Sequence, residues 1–253
     1  MKIGVQTYTI RDFCTNLKDF SESMKRVADM GYTTIQVSGV CDFEPEWLAE
    51  QLKANGLTCG LTHFEYKDIR DNTEKVIADH KTFGCKYIGI GGAPGGKDNL
   101  ENFVREGRPV AQKIRDAGLK FMYHNHSWEY LNNVPDGRTV MRFLSDSFMP
   151  DEMGFTLDTY WVKNAEYDVI DEIKRLSGRL PVVHYKDMLV EPDGTRKMSW
   201  IGGGNAMDFV KITEAFADAG TELIYVEQDT CYDDDPFDCL KKSYDYLKSI
   251  GLN

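Results

Sequence analysis

Residues 28–37, ADMGYTTIQV, carry a helical run into Gly31 and leave it as a short β-rich run. The same order returns as KANGLTCGL at 53–61, KTFGCKYIGI at 81–90, RDAGLKFMYH at 115–124 and ADAGTELIYV at 217–226. Glycine just past a helix adopts the left-handed backbone that closes it. A β-run straight afterwards is the helix-to-strand connection of a parallel sheet.

Working outward, the chain offers eight β-runs, at 2–8, 33–38, 57–63, 85–91, 119–126, 153–158, 180–186 and 222–228. Amphipathic segments alternate with them near 17–30, 45–55, 70–83, 100–117, 137–147, 168–177, 205–219 and 235–249. In 70–83, for example, Val76, Ile77, His80 and Phe83 recur at helical spacing among charged residues. KYIGIGG and LPVVHY are nearly continuous apolar runs, suited to strands covered on both faces. Eight such units in 253 residues, with no long linker, predict one (β/α)₈ barrel domain over 1–253. A doubly wound open sheet competes, but no dinucleotide fingerprint accompanies it.

Composition narrows the function. Apolar residues make up 42% and aromatics 12%, enough for a substantial core rather than disorder. No apolar run approaches the ~20 residues of a membrane span, and no targeting pattern opens the chain. A soluble, cytoplasmic protein with no membrane partner is expected. With 41 acidic and 30 basic residues the net charge is −11, which disfavours nucleic acid and leaves room for a small anionic substrate at a local positive site. The six cysteines form no C-x-x-C pair, and reduced thiols are expected.

In a barrel of this kind, function gathers at the C-terminal ends of the strands. Those ends read Gln6 and Tyr8, Gln36 and Ser38, His63, then GGAPGG at 91–96. His124, Asn125 and His126, Asp158, His184 and Lys186, and Glu227 and Asp229 follow. Strand alternation puts His124 with His126, His184 with Lys186, and Glu227 with Asp229. Four of the five histidines fall at strand ends; only His80 lies in a helical segment. Imidazole and carboxylate from adjacent strands suit one divalent ion, Mn²⁺, Co²⁺, Zn²⁺ or Mg²⁺. Asp158, His184 and Glu227 are its candidate ligands, and its use would be Lewis-acid polarisation as a proton leaves carbon. The competing reading is a set of buried polar residues hydrogen-bonded across the barrel mouth. GGAPGG and GGGN at 202–205 could offer backbone N–H groups to phosphate. Neither has P-loop spacing, and tight turns are the expectation.

GVQTYTIR at 4–11, YHNHSWEY at 123–130, TLDTYW at 156–161, VVHYKD at 182–187 and YVEQD at 225–229 resemble the sugar phosphate isomerase/epimerase superfamily, the xylose isomerase-like TIM barrels. The resemblance spans nearly the whole chain and does not specify a substrate. It implies one divalent metal held by Glu, Asp, His and Glu from four later strands. Carried over, these are Glu129, Asp158, His184 and Glu227, with His124 the alternative to Glu129. It further implies a sugar or keto-sugar substrate held by two adjacent oxygens, and an enediolate formed on proton removal by Glu227 or His126. An unperturbed imidazole titrates near ~6.5, which suits His126 to both directions of transfer. Lys186 would stabilise an oxyanion or an anionic substituent. Gln6, Tyr8, His63, His124 and Trp161 would contact substrate.

The leading expectation is therefore a metal-dependent sugar isomerase or epimerase, with the substrate's phosphorylation left open. A lyase resembling inosose dehydratase shares the enolate step. A non-catalytic sugar-binding barrel gains weight from His124 standing where relatives carry Glu. The abasic-site endonuclease branch would need more metal ligands and a basic surface. The aromatic stripe Phe237, Tyr244 and Tyr246 on the last helix would serve the core or a homo-oligomer.

Overall fold

The computed structural model describes residues 1–252. Seven parallel strands come first: β1 (Lys2–Gln6), β2 (Thr34–Val37), β3 (Thr58–His63), β4 (Tyr87–Ile90), β5 (Lys120–His124), β6 (Met153–Thr156) and β7 (Val182–Tyr185). A hairpin of β8 (Asp187–Val190) and β9 (Arg196–Ser199) follows, and then β10 (Leu223–Val226). Barrel strands pair in the order β6-β5-β4-β3-β2-β1-β10-β7. The remaining seam is drawn together where the N–H of His184 donates to the Leu157 carbonyl at 2.9 Å and Asp158 bridges to His184 in parallel register. The result is the nearly closed (β/α)₈ barrel expected from the repeat.

The repeat has the expected backbone cause. Gly31, Gly56, Gly84, Gly118 and Gly220 all take positive φ just after a helix. Apolar faces of the helices, such as Phe103, Val110 and Ile114 of Leu100–Asp116, pack on the outside of the strands. Inside the barrel a smaller cluster of Leu61, Tyr87, Met122, Val182 and Tyr225 forms the floor. Tyr225 needs room: a Cβ on Gly4 or Gly60 would come within 2.5 and 2.3 Å of its ring or hydroxyl. Its hydroxyl meets Thr34 Oγ1 at 2.9 Å, and the Tyr87 hydroxyl donates to Glu222 Oε2 at 3.0 Å, so both phenols of that floor have partners. Above this floor His124, His184 and Glu227 point inward.

Several boundaries depart from expectation. The first strand ends at Gln6, not residue 8, because the Gln6 side chain accepts the N–H of Tyr8 and starts a 3₁₀ helix over Thr7–Phe13. Short helices at Trp128–Leu131 and Thr159–Asn164 occupy stretches expected to be loops. The segment at 70–83 is two helices, Tyr66–Asp71 and Thr73–Thr82. The hairpin was not expected at all. Its turn, Glu191-Pro192-Asp193-Gly194-Thr195, is a standard turn signature: Asp193 Oδ1 accepts the Thr195 N–H at 2.9 Å and Gly194 supplies φ 88°. All six cysteines are free thiols. Among the described residues no helix is long and apolar enough to cross a membrane.

Candidate metal and sugar site

Alternation along β7 sends His184 and, one residue past its end, Lys186 into the barrel; β10 does the same with Glu227 and Asp229. His124 closes β5, and Asp158 sits just beyond β6. Asp158 divides its carboxylate between two tasks. Oδ1 accepts the Trp161 N–H at 3.0 Å and so caps the helix Thr159–Asn164, while its own N–H donates to Asn125 Oδ1. Oδ2 is left facing His124 Nε2 at 3.3 Å, Lys186 Nζ at 3.1 Å and His184 Nδ1 at 3.8 Å. The ring of His184 is set from the other side by Gln36 on β2, whose Oε1 lies 2.6 Å from Nε2. With that nitrogen donating to the amide oxygen, Nδ1 is turned toward Glu227 Oε2 at 2.8 Å.

His124, Asp158, His184 and Glu227 each offer one ligand atom, and these atoms lie within 4.8 Å of one another. All four are buried. His184 Nδ1 and Glu227 Oε2 approach closely, yet neither makes an aligned hydrogen bond. Once His184 gives up its proton, these two buried atoms face one space as acceptors, placed as two ligands of a single ion would be. The charges agree. Among the described residues the carboxylates of Asp158, Glu227 and Asp229 pair with one permanent cation, Lys186, whose Nζ lies 3.1, 2.9 and 3.0 Å from them. A divalent cation would cancel the remainder, and mixed imidazole–carboxylate donors fit it.

Burial and these neighbours set the protonation states. Burial would raise the Asp158 and Glu227 carboxyls, but Lys186 and the histidines outweigh it and hold both well below the usual range. Asp229 goes the other way, to about 6, through burial and the adjacent Glu227. Burial would depress His184, but Glu227 and Asp158 carry it up to about 8. His124 falls to about 3, chiefly by burial; burial also lowers His63 and His126. Lys186 is 1% exposed and still fully charged, because its three carboxylates overcome the cost of burial.

Glu129, preferred over His124 as the fourth ligand, stands outside the group of four. Its carboxylate is turned away from the cluster: Oε1 accepts from the Tyr123 hydroxyl at 2.9 Å and Oε2 from the His126 N–H at 2.8 Å. Burial raises its pKa to about 8. The cause is the short helix Trp128–Leu131, which folds Glu129 back under the end of β5. His124 is the residue of strand β5 that joins the group of four, its ring tilted against that of His184 with centroids 4.4 Å apart.

Above the cluster opens a hollow of about 580 Å³. Gln6, Tyr8, His63, His124, His126, Lys186 and Glu227 line it, as the strand ends suggested. Trp161 does not; it packs 5.4 Å from His126, with Lys186 Nζ 5.3 Å from its ring. His63 Nε2 is buried without a hydrogen bond. The strand-end reading named Gln36 and Asp229 but gave them no role, and it passed over Glu65 and Asp68, which join the rim.

A model of the family described as xylose isomerase-like TIM barrel matches residues 24–250. An inosose dehydratase of Mesomycoplasma hyopneumoniae is 22% identical, covering 91% of this chain and 88% of its own length. The solved structure of a sugar phosphate isomerase/epimerase from Parabacteroides distasonis superposes with a TM-score of 0.81 at 20% identity, over 98% of this chain and 93% of that one. An L-ribulose 3-epimerase structure gives 0.75 at 15% identity, over 99% and 94%.

Proposed function

The chain belongs to the xylose isomerase-like TIM barrel family, and from that premise we propose that it is a divalent-metal-dependent isomerase or epimerase of a monosaccharide or keto-sugar. The observation that carries the reading is the convergence of His124, Asp158, His184 and Glu227 beneath an open polar hollow, with Lys186 beside them. A divalent cation held by these four would act as a Lewis acid on a carbonyl or hydroxyl oxygen.

The chain's own groups supply the rest. His126 stands half-buried at the edge of the hollow, 4.7 Å from the His124 ring, and burial keeps it neutral at pH 7. A neutral imidazole there can take a proton from carbon and return it. Glu227, ionised at the floor, is the alternative base. Charge that develops on a substrate oxygen meets the Lys186 ammonium, already fixed by three carboxylates and so needing no rearrangement. His63, with its free Nε2, and Gln6 and Tyr8 at the rim would orient hydroxyls, and Trp161 supports His126 from behind. Residues 1–253 act as one unit in this account.

The relative named inosose dehydratase favours a second reading, a lyase that forms the same carbanion and expels a β-hydroxyl as water. One experiment separates the two. Keto-sugars and keto-inositols are incubated with Mn²⁺- or Co²⁺-loaded protein in D₂O, and products are followed by NMR and mass. Deuterium at carbon with unchanged composition supports the isomerase or epimerase, and loss of one water supports the lyase. Neither change with any substrate would sink both.

A further inference from the structure

The charges of the mouth and the occupants of its backbone anion seats bear on what kind of sugar could enter. Of the residues lining the hollow, Glu65, Asp68, Glu227 and Asp229 are acidic, and Lys186 is the only lysine or arginine. Lys186 is already engaged by three carboxylates. Arg11 lies nearby, but its Nη1 donates to the carbonyls of Tyr8 and Asp229 at 2.8 and 3.0 Å. A divalent cation would not reverse this balance. Together with Lys186 it would neutralise Asp158, Glu227 and Asp229, leaving Glu65 and Asp68 uncompensated at the exposed rim.

Barrels of this class commonly seat phosphate on backbone N–H groups of the loops after the seventh and eighth barrel strands. Here the chain's own carboxylates hold those seats. Asp187 Oδ2 accepts the N–H groups of Gly202 and Gly204 at 2.9 and 3.0 Å, and Oδ1 that of Met188 at 2.7 Å. This is the GGGN run that could have cradled a phosphate. Asp208 caps the helix after that run through Val210 and Lys211, and Asp235 caps the helix after β10 through Phe237 and Asp238. The other glycine-rich run, 91–96, contributes only Gly91 to the hollow.

We propose that the site takes an uncharged keto-sugar or keto-polyol and discriminates against its phosphorylated or carboxylated counterpart, with Glu65 and Asp68 as the discriminating rim. This deepens the proposed function and rests on it. A phosphate entering the mouth would lose water, find the lining's one cation, Lys186, already held by carboxylates and the Gly202 and Gly204 N–H groups already taken, and face two like charges.

The test presents D-fructose, D-tagatose, D-xylulose and L-ribulose, each beside its phosphate ester, to Mn²⁺-loaded protein in D₂O, and compares kcat/KM for exchange at carbon. For every pair that turns over, the free sugar is expected to lead by about 100-fold or more. Glu65→Gln/Asp68→Asn, two exposed positions, should narrow that gap by lowering KM for the ester. A phosphate ester turned over as well as the free sugar, or competitive inhibition by inorganic phosphate, would overturn the inference and leave the proposed function standing. Silence across these pairs and across keto-inositols would overturn the proposed function, and this inference with it.

Discussion

Gln36 Oε1 lies 2.6 Å from His184 Nε2, so a residue of β2 fixes how a ring on β7 presents its other nitrogen to Glu227 and Asp158. Such outer contacts commonly contribute 10–100-fold to metal affinity. Gln36→Leu should therefore weaken Mn²⁺ binding by about that factor while the barrel stays folded, as read by calorimetric titration and circular dichroism. Unchanged affinity would mean that the ring is oriented by packing alone.

The His184 imidazole, held up at about 8 by Glu227 and Asp158, carries a proton at pH 7 when no metal is bound. A metal ligand must give that proton up. Binding of Mn²⁺ at pH 7 should release about one proton per ion, measured from the dependence of the binding enthalpy on buffer ionisation. Affinity should rise with pH up to about 8 and level off above it. No proton release would remove His184 from the ligand set.

Among the described residues Lys186 is the one lysine or arginine paired with the carboxylates of Asp158, Glu227 and Asp229. Lys186→Met leaves three carboxylates without it, and breaking a buried ion pair on one side costs about 3–5 kcal/mol. The metal-free variant should melt well below the parent, and Mn²⁺ should raise its Tm by more than it raises the parent's. A variant as stable as the parent without metal would contradict the charge balance drawn above.

Glu129 titrates near 8 when folded, against an ordinary value of 4.5. The folded protein thus holds this proton more tightly than the unfolded chain does. Its contribution to stability is complete below about pH 4.5 and declines as pH rises through 8. Glu129→Gln keeps partners for Tyr123 and His126 and removes the titration. Denaturant unfolding should show the parent losing stability relative to Glu129→Gln between pH 5 and 8, by an amount of order a few kcal/mol. Parallel pH profiles would show that Glu129 is ionised in the folded protein.

The barrel was legible because five helix–Gly–strand junctions repeat, and each glycine does take the left-handed backbone that the reading required. Strand alternation also brought His184 with Lys186 and Glu227 with Asp229 into one place, since period-two geometry is set by the backbone alone. The fourth member of the cluster was not legible. Whether Glu129 or His124 reaches it depends on four residues, Trp128–Leu131, coiling into a helical turn too short to leave a periodic signal. Gln36 escaped for another reason: its role is a contact across the barrel from His184, 148 positions away in sequence. The hairpin after β7 did leave a mark in Pro192-Asp193-Gly194, but its two strands of four residues each are too short to add a periodic signal to that turn.

The measurement that bears most directly on the account is metal content per chain, by atomic emission, after incubation with Mn²⁺, Co²⁺ or Zn²⁺ and removal of excess. About one ion per chain is predicted for the parent and for Glu129→Gln, with loss in His124→Ala, Asp158→Asn and Glu227→Gln. No bound ion under any of the three metals, or an ion kept by His124→Ala and lost by Glu129→Gln, would contradict the site as drawn.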